Sequence, residues 1–156
     1  GVSVGEADYV KDILDKLGEI HFWRVAMKPG KPLAIGSINN AFFIGLPGNP
    51  VSVMATFYQF AQAALYKMMG FKKIPSLTVK AKTTKTIKKN PGRAEFQRGI
   101  LSRDDNNDLT VSPVALQGSH ILTSMSKADC FILLAAENTG VEPGQVVEVQ
   151  PFDALM

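Results

Sequence analysis

The sequence has a single cysteine, Cys130, so no disulfide can form within the chain. A reducing, cytoplasmic compartment is the simplest reading of that shortage. Two histidines, His21 and His120, are too few and too far apart in sequence to argue for a zinc site. No apolar run approaches the roughly 20 residues that a membrane-spanning helix needs, so no membrane partner is expected. The opening "GVSVGEADYV" has neither the basic start nor the apolar core of a secretory signal. Acids are scarce in one stretch: Lys72 to Arg103 holds ten of the 17 Lys and Arg residues, with Glu95 as its one acid. Two readings of that stretch stay open, a solvated lysine-rich face or a positive field that steers an anionic ligand. Nucleic acid is not expected, because the stretch has few aromatics to stack on bases and no accompanying motif. A P-loop and a full dinucleotide fingerprint are also missing, which argues against a generic nucleotide-binding domain.

What is present is an ordinary globular composition, 46% hydrophobic and 20% charged, in 156 residues with a net charge of +3. That length suits one domain or two small ones. Residues 1–71 alternate helical and strand patterns, an α/β texture. Ser3 and Glu6 have capping-box spacing, and Val10, Ile13, Leu14 and Leu17 keep helical spacing up to Gly18. "EIHFWRVA" (19–26), "PLAIGSI" (32–38) and "AFFIGLP" (41–47) read as strands, the last two joined by an Asn39-Asn40 turn. Asn49-Pro50 then starts a second helix that Gly70 closes. From residue 72 to 156 the pattern is β, with short strands and polar turns that suggest a small barrel or sandwich. The chain starts without methionine on a glycine-bounded loop that no strand precedes, so it is expected to be a fragment of a longer protein.

Three stretches carry candidate chemistry. In "GVSVGEADY", Gly1, Ser3 and Gly5 open onto a helix N-terminus, whose free N–H groups make an anion site. Glu6 and Asp8 fall in the first turn, where they act either as dipole partners or, for Asp8, as a magnesium or water-positioning carboxylate. In "MKPGKP", Pro29 and Pro32 stiffen a corner that Gly30 turns, so Lys28 and Lys31 stand on restrained backbone and suit a phosphate clamp. Arg24 lies an even number of residues before Lys28 and is expected on the same side if the strand runs on without a bulge. In "GLPGNPVS", Pro47, Gly48, Asn49 and Pro50 form either a plain strand-to-helix turn or a rigid wall with open backbone N–H groups. Both corners lie at strand carboxyl ends, where open α/β sheets bind ligands. Taken alone, "FQRG" (96–99) and "LQGSH" (116–120) are ordinary surface segments, and Cys130 is a buried small hydrophobe.

In this order and spacing, "GVSVGEADY", "FWRVAMKPGKP", "GLPGNPVS", "PGRAEFQRG" and "QGSHI" resemble the molybdopterin molybdenumtransferase family, the MoeA-type enzymes that also form the gephyrin E domain. The resemblance runs through nearly the whole chain and points to a bacterial cytosolic member. It implies that residues 1–71 are the later part of a three-layer α/β molybdopterin-binding domain and 72–156 a C-terminal β-barrel. It also implies Mg²⁺-assisted insertion of molybdate into adenylylated molybdopterin with release of AMP. The implied partners are a second copy in a homodimer, the adenylyltransferase and the receiving molybdoenzymes. Residue by residue, Asp8 and Lys28 match the family's catalytic positions, and Pro47 and Pro50 match its pocket prolines. Arg98 and Ser119 match residues that the barrel turns toward the cleft. Arg24 stands where some relatives carry lysine. The family's earlier "TGDEL"-type segment is missing, so the chain alone is expected to be inactive or nearly so and prone to associate. The alternative is a non-enzymatic scaffold of the gephyrin type that binds acidic partners through the barrel.

Overall fold

In a computed structural model of the chain, the structure describes residues 13, 16–73, 77–118 and 121–152. Its strands are β1 (Gly18–Arg24), β2 (Met27–Lys28), β3 (Pro32–Ile38), β4 (Ala41–Gly45), β5 (Val79–Thr83), β6 (Ala94–Arg103), β7 (Leu109–Pro113), β8 (Cys130–Leu134) and β9 (Val146–Pro151). The chain divides into two compact units, Gly1–Val25 with Pro29–Lys72, and Ala26–Lys28 with Lys73–Met156.

The first unit carries an antiparallel sheet in the order β1-β3-β4. A Cβ at Gly18 would run into the Ser37 carbonyl, so glycine is required where β1 meets β3. The β3–β4 hairpin pairs Ile38 with Ala41, and Asn39 makes its turn at φ 52, a left-handed conformation that asparagine tolerates. Pro50 opens α1 (Pro50–Thr56) with its fixed φ and no N–H to lose, while the Asn49 side chain accepts from the Val51 N–H at 3.1 Å. A π-helical stretch, Phe57–Ala61, then leads into α2 (Gln62–Met68). Thr56, at the junction, donates its hydroxyl back to the Ser52 carbonyl at 2.8 Å, a bond that tends to bend helices. Gly70, at φ 87, ends the helix. The Phe71 N–H reaches the Tyr66 carbonyl and the Gly70 N–H the Lys67 carbonyl, with the Tyr66 and Phe71 rings 5.2 Å apart. Among the described residues of this unit, Leu33, Ala34, Val51, Ala55 and Ala61 are buried and apolar.

The second unit is a closed five-stranded barrel. Its order is β6-β7-β5-β9-β8, and β8 pairs back onto β6. Closure depends on the ten-residue length of β6, which pairs with β8 through Glu95–Gly99 and with β7 through Gly99–Arg103. Gly99 is the crossing point, and a Cβ there would meet Val111 Cγ2 at 2.8 Å and Ile132 Cγ1 at 3.0 Å. Ala81, Ile87, Val111, Cys130, Ile132, Val147 and Val149 fill the interior. β5 ends at Thr83, and Ile87 joins the barrel through a bridge to Val141. A sixth strand, β2, lies parallel to the start of β6, Met27 opposite Ala94 and Lys28 opposite Glu95. It sits on the same side of β6 as β7, because β8 already occupies the other side of Glu95. Met27 is buried and anchors it.

Candidate functional site

Both proline-glycine corners of the first unit leave the same end of its sheet. β1 and β4 each run antiparallel to β3, so their carboxyl ends coincide. The first corner is closed by the Val25 N–H on the Lys31 carbonyl at 2.9 Å, with Gly30 at φ 102 and Lys31 exposed. In the second, Pro47 is buried, Gly48 is exposed, and among the described residues no atom beyond its chain neighbours lies within 4 Å of where a Gly48 Cβ would stand. Neither crowding nor backbone strain therefore demands a glycine at 48, and the space over its backbone is open. Arg24 is exposed and pairs with Pro32. The expected alternation from Arg24 to Lys28 does not hold. β1 has register shifts on both sides of Phe22 and ends at Arg24, and Lys28 belongs to another sheet.

Lys28 stands on the barrel at a cleft of about 360 Å³ lined by Lys28, Lys85, Lys88, Glu95, Gln97 and Gln117, among others. The register explains the polar floor of this cleft. Glu95, Gln97, Gly99 and Leu101 pair with Leu134, Ile132, Cys130 and Val111, so they form the inward row of β6. That row is apolar at one end and carries a carboxylate and an amide at the other. Both are buried. Gln97 Nε2 donates to Glu95 Oε2 at 2.9 Å and to the Lys88 carbonyl at 2.9 Å, so the acid is held from below. From above, Lys28 Nζ lies 3.4 Å from Glu95 Oε1. Side-chain exposure is 52% for Lys28 and 10% for Glu95, a fixed carboxylate beside a half-free ammonium. Sequence reasoning missed Glu95, Gln97, Lys85 and Lys88; the available signal was one acid, two residues before a glutamine, inside a basic stretch.

Arg98 points out of the barrel, yet it is only 1% exposed. Its Nε donates to Ser124 Oγ at 3.1 Å, and one terminal nitrogen donates to the carbonyls of Gly118 at 3.2 Å and Leu116 at 3.4 Å. Gln117 completes the clamp, accepting from the Arg98 N–H at 2.9 Å and donating to the Arg98 carbonyl at 2.8 Å. Burial pushes the guanidinium pKa down, although arginine keeps its proton in proteins. These bonds of Arg98 tie Leu116, Gly118 and Ser124 to the wall of the barrel.

Lys89 is treated similarly, its ammonium donating to the carbonyls of Asn90, Ala136 and Asn138 at 3.0–3.1 Å. The basic stretch is therefore not uniformly solvated. Cys130 is buried with its thiol pushed up to about 12, first by burial and then by Asp129, so it is not a nucleophile. Gly1, Ser3, Gly5, Glu6, Asp8 and Ser119 lie outside the described residues. Among the described residues no group of three His, Cys, Asp or Glu side chains suits a metal ion. Glu95 is already engaged by Lys28 and Gln97, so the described residues do not fit Mg²⁺ by themselves.

Residues 1–67 match the model of a probable molybdopterin binding domain, and residues 80–152 match the MoeA C-terminal region, domain IV. A molybdopterin molybdenumtransferase of Haemophilus influenzae is 45% identical over 100% of this chain and 39% of its own length. The chain belongs to the MoeA family of molybdopterin molybdenumtransferases. Within that family, gephyrin of Dictyostelium discoideum is 34% identical over 95% of this chain and 24% of its own length. The crystal structure of a molybdopterin biosynthesis MoeA protein from Pyrococcus horikoshii superposes with a TM-score of 0.69 at 28% identity, over 90% of this chain and 34% of that one. The chain thus spans about two fifths or less of the length of these family members. The α/β-then-barrel architecture is that of its structural neighbours.

Proposed function

We propose that the chain takes part in molybdenum cofactor biosynthesis, as part of an enzyme that inserts molybdate into adenylylated molybdopterin and releases AMP. The observation that carries this reading is Lys28, held by a two-residue strand at a cleft it shares with Lys85 and Lys88, in a family defined by that substrate class. Adenylylated molybdopterin carries a pyrophosphate and molybdate is a dianion, so bringing them together raises a repulsion that fixed ammonium groups offset. Lys28 is the proposed cation for the reacting centre. Arg24, Lys31 and the backbone at Gly48, Asn49 and Pro50 are the proposed contacts on the first unit, with Pro47 as a rigid wall. Gly1, Ser3, Gly5 and Glu6 are proposed as the phosphate loop, and Arg98 and Ser119 as barrel contacts. Mg²⁺ belongs to the reading as a counter-charge on the phosphates, with Asp8 as its proposed carboxylate. The working form is proposed as a cytoplasmic homodimer that meets the adenylyltransferase and the receiving molybdoenzymes. The 156 residues alone are proposed to turn over little, since they match 39% of the Haemophilus relative.

The test is calorimetric titration of adenylylated molybdopterin with Mg²⁺ into the chain and into Lys28→Ala. Binding that the substitution abolishes is the expected result; equal binding by both removes Lys28 from the site. A second reading, a protein-binding scaffold, draws on the exposed Ile100, Leu116 and Leu122. Ile100 and Leu116 line a hollow of about 260 Å³ together with Lys85 and Lys127. A chain that binds no molybdopterin species would favour that reading.

A further inference from the structure

We propose that Glu95 is a positioning residue for Lys28: it holds the ammonium at the cleft until an anion of the phosphate class takes it, and so sets the cleft's affinity for such anions. The inference rests on the reading of Lys28 as an anion-binding cation. Glu95 occupies an inward position of a barrel strand, where an apolar residue would cost least. Its carboxylate is immobilised by Gln97, itself tied to the Lys88 carbonyl. Parallel pairing puts Lys28 directly opposite, which brings the two side chains to one face.

The pair is asymmetric in three respects. Lys28 is half-exposed while Glu95 is nearly covered. Their separation, 3.4 Å, is long for a charge-assisted bond. An ammonium has three donors, and one carboxylate oxygen leaves the others free to turn toward the cleft. Glu95 is also the sole acid among the described residues that line this cleft, against three lysines. An entering dianion therefore competes with Glu95 for Lys28 and is repelled by it. When the anion leaves, the carboxylate recovers the ammonium, which favours release of product.

Inorganic pyrophosphate is the probe, titrated calorimetrically into the chain and into Glu95→Gln, Glu95→Asp, Lys28→Ala and the Glu95→Gln/Lys28→Ala double variant. Glu95→Gln keeps the size and the acceptor for Gln97, so the fold is retained, as circular dichroism checks. It is expected to bind roughly threefold to tenfold tighter than the parent, from loss of one nearby negative charge. Glu95→Asp, which keeps the charge, stays close to the parent. The double variant binds no tighter than Lys28→Ala, because the gain acts through Lys28. Unchanged or weaker binding by Glu95→Gln overturns the proposal, as does a gain that survives in the double variant, or a parent chain that binds no pyrophosphate. Adenylylated molybdopterin titrated in parallel keeps the two readings apart. Pyrophosphate binding in the expected order without binding of that substrate removes the substrate assignment and leaves the role of Glu95 supported.

Discussion

Arg98 on β6 and Lys28 on its parallel neighbour β2 are both cations of the barrel, and the barrel uses them in opposite ways. Arg98 is covered, and its donors go to a hydroxyl and two carbonyls of one surface segment. Lys28 is half-exposed and meets its carboxylate from one side at 3.4 Å. Residue type predicts neither fate. A cation becomes structural when backbone acceptors surround it, and it stays available when its partner is fixed and its own stem is not.

The comparison can be broken from its heavy end. Arg98→Met should cost about 3 kcal/mol, since it strips buried acceptors of their donor; a urea unfolding series measures this. A loss well under that would mean that Leu116, Gly118 and Ser124 keep their places without the guanidinium. Gly99→Ala, beside it on the strand, should cost about 1–3 kcal/mol, because the new methyl meets Val111 and Ile132 inside the barrel. An unchanged midpoint would show that β6 shifts freely at its crossing point. In the first unit, Asn49→Ala should cost about 1 kcal/mol through loss of the helix cap. Thermal melting reads that loss, and a neutral result would leave Asn49 to be explained by a ligand. Lys28→Ala should change stability by less than about 0.5 kcal/mol, as half-exposed ion pairs do. A loss comparable to that of Arg98→Met would make the two cations alike.

Local chemistry made the first unit legible. Asn39 can take a positive φ, Asn49 and Pro50 can start a helix and Gly70 can end one, and each signal lies within a few residues of its effect. The β texture of the second unit was legible as well, since short strands such as β6 alternate there with polar turns. What escaped was non-local. β2 is two residues long and pairs with a strand 67 residues further on, so no periodicity announces it. The shifts around Phe22 broke the alternation that linked Arg24 to Lys28. The inward position of Glu95 follows from closure of the barrel, which depends on β6 facing two partners. The π-helical stretch left the apolar spacing looking like one continuous helix.

The small strand β2 also changes what it would mean to cut this protein. The polypeptide passes from the first unit into the barrel at 25–26, returns at 28–29, and crosses finally at 72–73. A nick at the last crossing would yield two pieces, the first still carrying Met27 and Lys28, which pair with Ala94 and Glu95 on the second. The pieces are thus built for fragment complementation: a barrel made from residues 73–156 alone has an unfilled place beside β6, and a synthetic peptide spanning that short strand is its natural plug.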